Sequence, residues 1–115
     1  MKKTIRSADG SWLEIDPGAD TAIIRRPRPE NRNTSDYAQG EDLFMRVTPG
    51  GERKYYIISW TAWGRDYKEA YRTLTEEQKN QFILDQVKKA GKIGLDPDVT
   101  DKIESLFPGL LKQKR

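Results

Sequence analysis

The feature that most constrains the fold is a long apolar run that follows a tight-turn sequence. Pro49-Gly50-Gly51-Glu52 separates residues 42–48 from Arg53–Trp63, and both flanking segments are rich in strand-forming residues. The second segment is apolar on both faces of a strand, with Tyr55 and Ile57 on one and Tyr56, Ile58 and Trp60 on the other. A strand of this kind belongs in the middle of a sheet. The sequence therefore predicts an antiparallel hairpin whose second strand is central.

A second hairpin is predicted nearer the N-terminus. Residues 11–15 and 21–25 are rich in strand-forming side chains and flank Asp16-Pro17-Gly18-Ala19-Asp20. Proline fixes φ for a turn and glycine permits a positive φ, so these five residues favour a chain reversal. We expect the two flanking segments to pair with each other.

Helical patterns follow Gly64. Asp66 is placed to cap a short helix whose apolar residues recur at helical spacing: Tyr67, Ala70, Tyr71 and Leu74. Thr75-Glu76-Glu77-Gln78 matches a capping box and begins a second helix that ends before Gly91. Pro97 follows Asp96 at the start of a final helix, which Pro108-Gly109 ends.

Strands that precede helices predict an α+β fold. We expect one domain over residues 1–115: an antiparallel sheet of about four strands, built from two hairpins, followed by two to three C-terminal helices packed on one face. Residues 27–40 contain two prolines and no aliphatic side chain larger than Ala38, so they predict a mobile, basic, Pro-rich loop. The basic termini are expected to be flexible.

The composition argues against the common catalytic chemistries. The chain has no His and no Cys, which excludes imidazole bases, thiol nucleophiles and their usual metal sites. The other polar residues form no catalytic pattern, so we predict a protein that is not an enzyme and has no catalytic residue, metal or cofactor. No apolar run is long enough to span a membrane, and no secretory signal is visible. A cytoplasmic protein without membrane contact is expected.

The positive charge lies in three short segments. Lys2, Lys3 and Arg6 form the first; residues 25–32 form the second; residues 112–115 form the third, and each segment carries +3. Because the whole chain carries +3, the remainder carries −6. Nucleic-acid binding would therefore depend on basic arms and not on a basic folded face.

The candidate contact residues combine the basic loop with an aromatic cluster. Six aromatic residues fall between positions 55 and 71, interleaved with and flanked by Arg and Lys residues. Such a cluster is typical of a small core, of a protein-binding face, or of a surface that stacks the bases of a single strand. The candidate site residues are Arg25, Arg26, Arg28, Arg32, Tyr56, Trp60, Trp63 and Arg65.

These features favour a small adaptor or inhibitor that binds another protein or a protein–nucleic acid complex. The size and polarity are typical of accessory proteins of phages and mobile elements. The alternative is a single-stranded nucleic-acid-binding protein that uses an aromatic, basic sheet face and basic arms. Homodimer formation through the strand-rich half is compatible with either function.

Overall fold

The computed structural model describes residues 2–7, 10–25, 37–63, 66–90 and 97–112. Internal contacts divide the chain into two units, Met1–Leu74 and Thr75–Arg115, which are described separately below. The first unit is built of strands and the second of helices. The predicted α+β class, with a four-stranded antiparallel sheet followed by two helices, is confirmed.

The first unit contains two antiparallel sheets. The smaller sheet pairs β1 (Lys3–Arg6) with β2 (Trp12–Ile15). The larger sheet has the order β3–β4–β5–β6, and its strands are β3 (Thr21–Ile24), β4 (Tyr37–Val47), β5 (Arg53–Trp63) and β6 (Asp66–Leu74). The predicted hairpin of β4 and β5 is therefore confirmed, and β5 has a neighbour on each side.

Both faces of the larger sheet contribute to the core. Ile57 and Ile58 point to opposite faces of β5, and both are buried. On the Ile58 face, the smaller sheet packs against the larger one and forms one buried cluster of Ile5, Leu13, Ile15, Phe44, Tyr56 and Ile58. On the Ile57 face, the buried residues are Leu43, Met45, Tyr55 and Ile57.

The predicted N-terminal hairpin is wrong in its pairing. In the part of the chain that the structure describes, β2 pairs with β1 and β3 pairs with β4, so the two segments lie in different sheets. Lys3–Arg6, expected to belong to a flexible basic terminus, forms β1 instead. The physical reason is Ile5, which lies opposite Leu13 and adds a buried side chain to the cluster.

The helix predicted from Asp66 is also wrong, because residues 66–74 form β6. This strand pairs with β5 over nine residues, from Trp63 opposite Asp66 to Tyr55 opposite Leu74. A long β5 leaves many backbone groups to satisfy, and a strand partner satisfies them whereas a helix would not. Of the predicted loop at 27–40, residues 37–40 belong to β4, and residues 27–36 lie outside the described residues.

The second unit begins with the predicted capping box. The Thr75 amide donates to Gln78 Oε1 at 2.9 Å, and the Gln78 amide donates back to Thr75 Oγ1 at 3.1 Å. Helix α1 (Glu76–Ala90) follows, and α2 (Pro97–Leu106) begins at Pro97 as predicted. Neither described helix is long and apolar enough to cross a membrane. The packing of the helices on one face of the sheet stays a prediction.

A buried lysine joins α1 to the segment that follows α2. Lys79 Nζ lies 2.9 Å from Glu76 Oε1 and 3.6 Å from the centre of the Phe107 ring. The carboxylate and the ring face both stabilise the ammonium charge in a place with almost no water. This contact fixes the two segments against each other within the second unit.

The two-sided burial of β5 predicts a large effect of shortening either isoleucine. We expect Ile57→Ala and Ile58→Ala each to lower the free energy of unfolding by about 2–5 kcal/mol, because each leaves a cavity. Val47→Ala, at an exposed position of the same hairpin, is the matched control and should cost less than about 1 kcal/mol. Urea denaturation measures all three, and an isoleucine variant that behaves like the control would contradict a central β5.

Candidate partner-binding surface

The structure separates the predicted site residues into an interior and an exposed set. Tyr56 and Trp60 are 0% and 1% exposed, so neither supplies contact area to a partner. Trp63 is 61% exposed, and Arg25 is exposed directly after β3. The remaining candidates lie outside the described residues: Arg26, Arg28, Arg32 and Arg65.

Tyr56 is part of a polar network beside the smaller sheet. Its phenol donates to Asp20 Oδ2 at 2.8 Å, and Arg46 Nη1 donates to Asp20 Oδ1 at 3.0 Å. The Asp16 amide also donates to Asp20 Oδ2, and Arg46 Nη2 reaches Glu14 Oε1 at 3.3 Å. Burial raises the pKa of Tyr56 well above its ordinary value, and the hydrogen bond to Asp20 and the charge of Asp20 raise it further. Tyr56 therefore stays protonated and serves as a structural donor.

Trp60 lies on the same face of β5 and packs against an aromatic side chain of β6. The Trp60 and Tyr67 rings stack with their centres 6.2 Å apart. The phenols of Tyr67 and Tyr71 both donate to the Glu69 carboxylate, at 2.8 and 2.7 Å. Most of the aromatic cluster thus belongs to the core and its polar margin, and it is not an open stacking face.

Trp63 lies on the other face of β5. There, the first half of β4, the second half of β5 and the paired part of β6 form an accessible surface. The strand registers place the members side by side, and all are exposed or half-buried. We call them the polar sheet surface: Gln39, Glu41, Ser59, Thr61, Trp63, Lys68, Ala70 and Arg72. Ser59, Thr61 and Ala70 are small, so the middle is flat and Trp63 lies at one end.

Two charged residues of the polar sheet surface, Glu41 and Arg72, form an ion pair. Arg72 Nη2 donates to Glu41 Oε2 at 3.2 Å, and Ser59 Oγ donates to the same oxygen at 3.3 Å. Both charged side chains remain substantially accessible, so the pair adds little to stability and stays open to a partner. Among the described residues, no group of three or more His, Cys, Asp or Glu side chains is placed to hold a metal.

Comparison with known proteins adds no functional assignment. No protein-family model matches the chain, and no curated protein or solved structure matches it. Any function must therefore be argued from the side chains themselves.

Sequence reasoning found Trp63 but missed its neighbours. The helix predicted from Asp66 contains Ala70 and Arg72, and only their place on β6 brings them beside Ser59 and Glu41. Strict alternation along β5 was a usable signal, because it separates Trp63 from Tyr56 and Trp60. The exposed Trp12 was also missed, although Leu13 and Ile15 alternate with it on β2.

The shifted pKa of Tyr56 predicts a specific alkaline titration. The ordinary tyrosine pKa is 10.0, and the pKa of Tyr56 in the folded protein is higher. The folding stability that the protonated phenol contributes is therefore fully present below pH 10 and is lost as the pH rises towards the folded pKa. We expect wild type and Tyr56→Phe to show equal tyrosinate absorbance at pH 10 when folded, and to differ by about half a tyrosinate at the same pH in denaturant, where Tyr56 has its ordinary pKa. A difference of about half a tyrosinate between the two folded proteins at pH 10 would contradict the buried network.

Proposed function

We propose that the chain is a small non-enzymatic adaptor or inhibitor of the cytoplasm that binds another protein through the polar sheet surface. The observation that carries the proposal is the 61% exposure of Trp63 on a strand whose neighbouring aromatic residues are buried. Tryptophan and arginine are the residues most enriched at the energetic centres of protein interfaces. Both occur on this surface, as Trp63 and Arg72.

Rigid presentation supports the choice of Trp63. The β5 backbone at this position is paired with Tyr37 on one side and Asp66 on the other. An indole has few rotatable bonds and a large apolar area, so burying it against a partner gains free energy with little loss of side-chain entropy. The flat middle of the surface lets a partner approach the strands closely.

The charged pair supports a protein partner over a nucleic acid. Around Trp63, Glu41 and the adjoining Asp66 balance Lys68 and Arg72, so this end of the face has no excess of cations. A nucleic-acid strand needs successive cations for its phosphates and open aromatic faces for its bases. A protein partner instead meets the mixed charges with complementary ones, which sets orientation and specificity.

The test begins with affinity capture from the native host, with and without nuclease, and continues with the purified partner. We expect capture to survive nuclease treatment. Trp63→Ala should weaken the affinity by about 30-fold or more, mainly through faster dissociation. Val47→Ala is the matched control, because it shortens another exposed apolar residue on the same face of the hairpin, and it should leave the affinity unchanged.

Two results would overturn the proposal. The first is equal affinity of Trp63→Ala and wild type for the purified partner. The second is capture that nuclease abolishes, together with direct binding of an unstructured oligonucleotide. In that case, changing Arg25, Arg26, Arg28 and Arg32 to Ala should flatten the slope of log K against log salt by about 0.7 for each lost phosphate contact.

A further inference from the structure

A second exposed tryptophan lies on the outer face of the smaller sheet. In β1 and β2, Ile5 and Leu13 are opposite each other and face the core. Side chains alternate along a strand, so the next pair, Arg6 opposite Trp12, points away from the larger sheet. Trp12 is 66% exposed. We call this face the indole–guanidinium surface; its members are Thr4, Arg6, Trp12 and Glu14.

Arg6 contacts the Trp12 ring in a way that leaves the N–H donors of its guanidinium accessible. The Arg6 guanidinium carbon lies 4.9 Å from the centre of the Trp12 ring, over its face. A guanidinium in this position uses its flat side on the indole, while its N–H donors point outward in its own plane. Among the described residues, no carboxylate forms an ion pair with Arg6. Its donors are thus available to an incoming acceptor.

The Glu14 carboxylate of this surface is engaged elsewhere. Glu14 Oε1 lies 3.3 Å from Arg46 Nη2 and 4.0 Å from Lys2 Nζ. Two cations share this one carboxylate, so it does not offset the charge of Arg6. The indole–guanidinium surface therefore presents an unbalanced positive charge beside an exposed apolar ring.

We propose that this surface binds an acidic segment of a partner protein, in which a carboxylate lies next to an apolar side chain. The carboxylate accepts two in-plane hydrogen bonds from Arg6, the geometry that a guanidinium favours. The apolar side chain covers the exposed part of the Trp12 ring and removes it from water. A phosphate backbone fits less well, because the cations on this side, Arg6 and Lys2, are separated by Thr4 and the Glu14 carboxylate and give no row of phosphate contacts.

The indole–guanidinium surface is separate from the polar sheet surface. The smaller sheet covers one face of the larger sheet, whereas Trp63 is on the opposite face. No residue belongs to both surfaces. A variant at one surface therefore leaves the other intact, and the two proposals fail separately.

The experiment measures binding of the full chain to a labelled synthetic peptide in which Glu alternates with Leu and Phe. Its controls are the same peptide with Gln in place of Glu, and an oligothymidylate of similar length. We expect the acidic peptide to bind at least about tenfold more tightly than either control. Arg6→Ala and Trp12→Ala should each weaken its binding at least about tenfold, and Arg6→Lys should rescue only part of the loss, since lysine keeps the charge but not the planar donors.

Matched variants keep the result decisive. Val47→Ala shortens an exposed apolar side chain outside this surface, and Trp63→Ala removes a similarly exposed indole from the opposite side of the unit; both should bind the peptide like wild type. Urea denaturation confirms that each variant folds. The proposal is overturned if the acidic peptide does not bind, if it binds independently of Arg6 and Trp12, or if the oligothymidylate binds more tightly through the same two residues.

Discussion

The arrangement of the two sheets depends on one carboxylate. Asp20 Oδ2 accepts hydrogen bonds from the Asp16 amide and the Tyr56 phenol, and Oδ1 accepts one from Arg46, which also reaches Glu14. Groups from the crossing between the sheets, from β4 and from β5 thus meet at a single side chain, and Arg46 extends the network to Glu14 of β2. A carboxylate with so little access to water is stable only with such partners. The smaller sheet is therefore held at one position on the larger one.

The same carboxylate explains why the N-terminal hairpin was predicted wrongly. The segment from Asp16 to Asp20 does turn, and the amides of Ala19 and Asp20 both donate to the Asp16 carbonyl. Proline and glycine determine that the chain turns there, but not which strand it meets next. That choice depends on Tyr56, which is 36 residues from Asp20 in the sequence. Local turn chemistry contains no such information.

The misassigned β6 shows a tie between two periodicities. Tyr67, Tyr71 and Leu74 fit a helical stripe, whereas Tyr67, Glu69 and Tyr71 fit one face of a strand equally well. Without β6, one edge of β5 would have no hydrogen-bonding partner, and this requirement favours a strand. Nothing within residues 66–74 shows that requirement. The capping box at Thr75 and the β4–β5 hairpin were predicted correctly because their deciding contacts lie within a few residues of each other.

The candidate surfaces were predictable only in part for a related reason. Composition shows that aromatic residues are abundant, but alternation and pairing decide which of them face water. On β2, alternation alone places Trp12 with Glu14 on the polar side, whereas its contact with Arg6 exists only because β1 pairs with β2. The two exposed indoles lie on opposite sides of one unit whose interior is fixed by Asp20. The proposal of an adaptor that joins two partners rests on this geometry, because two rigid surfaces without shared residues can be occupied at the same time.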